Sequence, residues 1–273
     1  MVDIESTADI ESTADMEGMS AAVSLKQLVE TLQQWLTPEQ ISDYCPNGLQ
    51  VEGRAEVRRI VTGVTASQAL LDAAVLAKAD AILVHHGYFW RGEDPCIRGM
   101  KKRRLQTLLS NDISLIVYHL PLDIHPQMGN NVQLAKQLGL HIEGGLELNS
   151  RNPIGLWGRL ETPLSAAELS ALIGRVLGRQ PLHIEGHSER IETLGWCTGG
   201  AQSYIEHAIE RGLDAFISGE ISEQTVYSAR ESGVHYYAAG HHATERFGVQ
   251  ALGERLAAEL NIEHCYIELD NPV

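Results

Sequence analysis

No stretch of this chain carries the roughly 18 consecutive apolar residues that a membrane-crossing helix requires. Positive charge is scarce: 21 Lys and Arg stand against 36 Asp and Glu, a formal net charge of −15. That shortage excludes a general nucleic-acid binder, because phosphate backbones are held mainly by Lys and Arg. The four cysteines, Cys45, Cys96, Cys197 and Cys265, show no C-x-x-C spacing. They make neither a zinc ribbon nor a disulfide framework, and they suit a reducing cytoplasm. The N-terminus has no basic region followed by an apolar stretch, so no signal peptide is expected. Three familiar signatures are also missing: a Walker-type loop, G-x-G-x-x-G after a strand, and the G-x-S-x-G nucleophile turn.

What is present begins with a repeat of IESTAD, Ile4–Asp9 and then Ile10–Asp15. A polar, acidic repeat cannot bury enough surface to offset its ordering entropy, so residues 1–18 read as a flexible tail. Met19 would serve as an alternative start. Beyond it, apolar spacing predicts a helix from Ser24 to Trp35, with Ser24 as N-cap and Leu25, Leu28, Val29 and Leu32 on one face. Pro46-Asn47-Gly48 reads as a turn. Strands are expected at Arg59–Val64, Ala81–Val84 and Ser114–Tyr118, with helices at Ser67–Lys78, Leu105–Leu109 and Asn130–Leu138. This alternation is that of an α/β protein. Between Pro153 and Pro181 the pattern predicts a strand (Gly155–Leu160) and a Ser165-capped helix (Ala166–Leu177), both read as structural.

After Leu194 the rhythm returns, and the chain resembles itself. Ala66–Leu71 lies over Gly200–Ile205, and at the same offset Asp80–Val84 lies over Asp214–Ser218. At a slightly shorter offset Tyr118–Asp123 lies over Gly240–Glu245, each carrying His, three residues, then a carboxylate. An internal duplication is inferred, although any two α/β units share some of this likeness.

Open α/β sheets bind ligands outside the carboxyl ends of their strands. Three polar clusters fall there: His85-His86, Asp123, and His241 with Glu245. Imidazole and carboxylate suit zinc, iron, manganese or nickel. Each cluster alone has an ordinary explanation: paired surface histidines, a turn aspartate before Pro126, an i,i+4 ion pair on a helix. Their common placement after three strands is what points to a metal centre. Five ligands, two of them carboxylates able to bridge, favour two ions, each with an open position for water, which is hydrolytic chemistry. His119 and His242 are the candidates for proton transfer or for supporting the ligands. Glu220, the second-half counterpart of His86, is expected to line the same cleft. Gly199-Gly200 reads as a tight turn or an anion cradle, and the basic run Arg98, Lys101, Lys102, Arg103 and Arg104 as a solvated face or a docking patch for phosphates.

The segments DYCPNGLQVEG, VTGVTASQALLDAAV, ILVHHGYFWRGEDPCIRGMKKRRL, HLPLDIHPQMGNN, CTGGAQS, AFISGEISEQTV and YYAAGHHATERFGVQAL resemble the YbgI-type family, relatives of the NGG-one-interacting factor three. The likeness runs from about Ser24 to Pro272. It implies α/β/α layers in two intertwined, internally duplicated lobes, with residues 19–125 and 246–273 in the first lobe, 126–245 in the second, and a metal site at their interface. It also implies two divalent ions per subunit (Zn, Fe, Mn or Ni) on His85, His86, Asp123, His241 and Glu245, with Glu245 as the bridge. A ring-shaped homohexamer, a small nucleotide-like substrate and the label of a GTP cyclohydrolase type-two homologue come with the same resemblance. The readings carried forward are a dinuclear metal-dependent hydrolase or, in another class, a metal-binding scaffold without turnover.

Overall fold

Ser24 accepts a hydrogen bond from the Gln27 amide at 3.1 Å and so caps the first long helix, as its position before an apolar periodicity predicts. The computed structural model describes residues 22–148, 150 and 152–273, so the expected tail at 1–18 and the start at Met19 lie outside the described residues. In chain order the first half comprises β1 (Val23–Ser24), α1 (Leu25–Leu36), β2 (Gly48–Val51), β3 (Glu56–Val57), β4 (Arg59–Thr65), α2 (Gln68–Leu76), β5 (Ala81–His86), α3 (Gly99–Ser110), β6 (Ser114–Val117), α4 (Leu120–Asp123) and α5 (Asn130–Leu138). The second comprises β7 (Leu140–Gly145), β8 (Leu156–Leu164), α6 (Ala166–Leu177), β9 (Leu182–Ile184), β10 (Ile191–Cys197), α7 (Ile205–Arg211), β11 (Ala215–Ser218), α8 (Glu223–Ser232), β12 (His235–Ala238), α9 (His241–Leu260) and β13 (Glu263–Tyr266).

Two sheets carry the fold, one in the order β13-β4-β5-β6-β2 and the other β7-β8-β10-β11-β12-β9. The strands β4, β5 and β6 run parallel, and so do β10, β11 and β12; each trio ends against an antiparallel edge strand, β2 or β9. Both trios are joined by helices in the same order, so the duplication read from the sequence is present in the topology. It extends to single atoms. Asp80 Oδ2 accepts the amides of Arg58 (2.8 Å) and Arg59 (3.0 Å), and Asp214 Oδ2 accepts those of Glu192 (3.0 Å) and Thr193 (2.9 Å). The Asp-Ala pair that opens each middle strand thus ties it to the strand beside it.

Helices cover both faces of each sheet, and the central strands are buried throughout, as continuous apolar runs require. On the first sheet α1 and α9 cover one face through Leu28, Leu32, Val249, Leu252 and Leu256, while α2 and α3 cover the other through Leu70, Leu71 and Leu108. On the second sheet α5 and α6 pack Leu134, Leu138, Leu169 and Ile173 against Trp196 and Tyr237, and α7 and α8 take the opposite face. These are α/β/α layers. The helix that leaves each trio crosses to the other sheet: α5 from the first to the second, α9 from the second to the first. That exchange is what intertwines the lobes.

Some boundaries differ from the sequence pattern. Helix α3 starts at Gly99 rather than Leu105, because its first two turns are mostly charged and give no apolar period. The edge strands β2, β9 and β13 carry mixed, partly exposed residues, so periodicity does not mark them. Strand β8 runs on through Pro163 to Leu164, past the expected end at Leu160.

Candidate metal centre

Strand β5 ends on His85 and His86, whose rings meet at its carboxyl end with centroids 4.6 Å apart. His85 is fully buried. Its Nδ1–H donates to the carbonyl of Tyr118 at 3.0 Å, which leaves Nε2 as the lone-pair nitrogen. That Nε2 lies 3.4 Å from Asp123 Oδ1 and 3.6 Å from Glu245 Oε1, buried, with no hydrogen bond. His86 shares a 3.1 Å bond between Nδ1 and Thr65 Oγ1 and sets Nε2 3.2 Å from Glu245 Oε2. His241, the first residue of α9, donates Nδ1–H to Glu220 Oε1 at 2.6 Å and sets Nε2 3.2 Å from the same Glu245 Oε2. Despite both approaches, Glu245 Oε2 makes no hydrogen bond of acceptable geometry and is buried.

Two overlapping triads of donor atoms share Glu245, His85–Asp123–Glu245 and His86–His241–Glu245, and a third group, His85–His86–His119, lies beside them, each with its atoms within 4.8 Å of one another. All five residues named from the sequence meet at one place, and Glu245 belongs to both triads. Imidazole and carboxylate donors converging at this spacing could hold a metal ion.

The electrostatics agree. Burial would lower His85, yet the charges of Asp123 and Glu245 raise it to about 9. His241 is raised to about 9 as well: burial opposes, and the nearby carboxylates of Glu245 and Glu220 prevail. His86 goes the other way, lowered by burial to about 3. Asp123 is raised by burial, whereas Glu245, which burial would also raise, is held well below the usual range by His86 and His85. Two buried carboxylates thus demand positive charge, which protons on His85 and His241 supply when no metal does.

Local backbone makes the approach possible. Asp123 closes the one-turn helix α4 and accepts from Asn130 Nδ2 at 2.8 Å. Gly199, at φ +69°, passes so near that a Cβ there would stand 2.0 Å from Glu245 Oε1. The pair Gly199-Gly200 is thus a close-approach turn beneath the centre. Glu220, expected to line the cleft, is not among the residues lining the main cavity; it stands behind His241 and accepts its Nδ1–H.

His119 and His242 are placed differently. His119 is buried, with its Nδ1–H donated to Asp43 Oδ1 at 2.9 Å and its ring 5.0 Å from that of His85. Asp43 also accepts from Asn47 Nδ2 (2.9 Å) and the Leu120 amide (3.0 Å). Burial would raise Asp43, but these bonds, led by His119, bring it down to about 2. His119 lines a cavity of about 610 Å³ that opens over His86, Asp123, His241 and Glu245 and is walled by Tyr44, Trp90, Arg104, Cys197 and Tyr204. His242 turns to Glu268 Oε1 at 3.0 Å and lines, outside the main cavity, a smaller one of about 200 Å³ with His86, His241, Asn271 and Val273. Sequence reasoning missed Asp43, Asn47, Asn130 and Trp90; the first two stand together in DYCPNG.

Comparison with known proteins bears on the chain as a whole. The family model Duf34/NIF3 (NGG1p interacting factor 3) matches residues 23–272. A Pseudomonas aeruginosa protein named GTP cyclohydrolase 1 type 2 homolog is 59% identical over 251 residues, 92% of this chain and 99% of its own length. A Vibrio cholerae protein of the same name is 59% identical over 249 residues, 90% of this chain and 98% of its own. Among solved structures, the protein ybgI, described as of unknown function, superposes with a TM-score of 0.89 at 52% identity, covering 92% of this chain and all of that one. A Thermus thermophilus protein, TTHA1606, gives 0.83 at 30% identity, with 92% and 100% coverage.

Proposed function

We propose, taking as premise that the chain belongs to the Duf34/NIF3 family, that it is a dinuclear metal-dependent hydrolase acting on a small nucleotide-like substrate. The observation that carries this is the pair of triads sharing Glu245 at the floor of a cavity large enough for such a molecule. His85, Asp123 and Glu245 would hold one ion, and His86, His241 and Glu245 the other. Divalent ions there would supply Lewis acidity and bring water's deprotonation near neutral pH.

The protein's own groups do the rest. Tyr118 O, Thr65 and Glu220 fix the rings of His85, His86 and His241, so the donors are set before a ligand arrives. Asp43 holds Nδ1 of His119, leaving Nε2 as the atom that takes or returns a proton at the cavity wall. The name GTP cyclohydrolase 1 type 2 homolog, carried by the relatives, makes purine ring opening the first reaction to try.

The rival reading is a metal-binding scaffold without turnover, and His242 favours it, because its contact with Glu268 removes one of two proton-transfer candidates from the cavity. Metal analysis followed by turnover of a nucleotide panel that includes GTP, with Zn, Fe, Mn or Ni restored in turn, separates the two. Two ions retained with no turnover under any metal would leave only the scaffold. No described helix is long and apolar enough to cross a membrane. All four cysteines are free thiols, which fits the cytoplasm as the proposed location.

A further inference from the structure

The basic run on α3 divides into three kinds of side chain. Arg98 pairs with Asp94 at 2.6 Å and Lys101 with Glu93 at 2.8 Å, while Lys102 and Arg103 are exposed. Arg104 does neither. It is half-buried and lines the 610 Å³ cavity, and its Nε is buried without a hydrogen-bond partner. Its close neighbour is the face of Tyr88, 5.9 Å from guanidinium carbon to ring centroid. No carboxylate among the described residues pairs with it. A guanidinium does not shed its proton in a protein, so its charge awaits a partner from outside.

Charge around the cavity points the same way. Asp123 and Glu245 face the metal positions, while Glu220 backs His241 and Asp43 backs His119. Two divalent ions offset those four carboxylates, and Arg104 is then in surplus. The walls add shape. The chain is only 5% aromatic, yet Tyr44, Trp90 and Tyr204 all line this cavity. Tyr44 and Trp90 lie 5.6 Å apart, and the Trp90 ring stands edge-on to His119 at 5.0 Å. Flat apolar faces beside a forked cation suit a planar ring that bears an oxyanion.

We propose that Arg104 is the anion anchor of this cavity: it holds the phosphate of a heteroaromatic ligand whose ring lies against Tyr44 and Trp90. The identity of the ring rests on the nucleotide reading above, but the anchor is tested by binding alone, without turnover. Isothermal titration of the metal-loaded protein compares GMP with guanosine, and Arg104→Met and Arg103→Met remove the same charge inside and outside the cavity. The native protein is expected to bind GMP about tenfold or more tightly than guanosine, the gain of a charge-assisted, forked contact. Arg104→Met should bring GMP to within about threefold of guanosine. Its metal content and melting temperature should match those of the native protein, which excludes misfolding as the cause. Arg103→Met should keep the gap. A gap that survives in Arg104→Met would mean that the metal centre or another group holds the phosphate. That result overturns the assignment, as does native protein with no preference for GMP or no binding of it. A protein that shows the gap yet turns nothing over keeps the anchor and loses the hydrolase.

Discussion

His85, His86 and His241 each commit Nδ1 to a fixed partner, so that Nε2 of all three is turned toward Asp123 and Glu245. The five donors are not equivalent, and the difference ranks their substitutions. Glu245 faces both triads, and an amide there can neither offset charge nor present two anionic oxygens. Glu245→Gln should therefore lose both ions, whereas Asp123→Asn should loosen one. Glu220 acts through His241, so Glu220→Gln should leave full occupancy at saturating metal but weaken one site by about 10–100-fold. Metal counts after dialysis, and competition against a chelator, read these differences. Full occupancy in Glu245→Gln would sink the shared role.

At the scale of elements, α9 has two tasks that its length allows it to combine. Its first turn carries His241 and Glu245, and its middle buries Val249, Leu252 and Leu256 on the first sheet. Where α5 and α9 meet, Gly248 donates its amide to Asn130 Oδ1 at 3.0 Å, and a Cβ on that glycine would stand 2.3 Å from the same oxygen. Asn130 also holds Asp123, so the helix contact and the ligand position share one side chain. Leu252→Ala should cost about 2–5 kcal/mol, as a cavity in a fully packed layer does. Leu76→Ala, on an exposed face of α2, should stay within about 0.5 kcal/mol of zero. Urea unfolding monitored by circular dichroism checks both, and a mild Leu252→Ala would mean that α9 is not the shared core element described.

For the molecule as a whole, the centre ties stability to pH. In metal-free protein His85 and His241 are raised to about 9 from an ordinary value near 6.5. Between those values the folded state binds more protons than the unfolded state, so stability is fully present below pH 6.5 and declines as pH rises through 9. His86, lowered to about 3, is neutral in the folded state across that window, and its contribution is lost as pH falls through about 6.5. Chelated protein should thus melt at a lower temperature at pH 9 than at pH 6.5. Metal-loaded protein should show a shallower slope, because cations replace those protons. Calorimetry of both forms decides it, and a chelated protein that grows more stable over this range would contradict the charge assignment.

Much of this was legible before the fold was seen. Ser24, Ser67 and Ser165 mark helix starts because their hydroxyls satisfy amides within the next turn, a purely local bond. The apolar runs of β5, β6, β11 and β12 mark buried strands, and the repeated Asp-Ala openings mark the duplication. The five donors could be named because strand ends in an α/β sheet converge whatever the loops do. Other features arise only when distant segments meet. Asp43 lies 76 residues from His119, and the crossing of α5 and α9 leaves no periodic trace. Arg104 and Arg103 are adjacent and chemically identical, yet one lines the cavity and the other is exposed, because the rotation of α3 against the sheet separates them. Residue type and local spacing determined which chemistry the chain could hold; tertiary packing decided which side chain faces which, since burial and direction belong to the assembled layers.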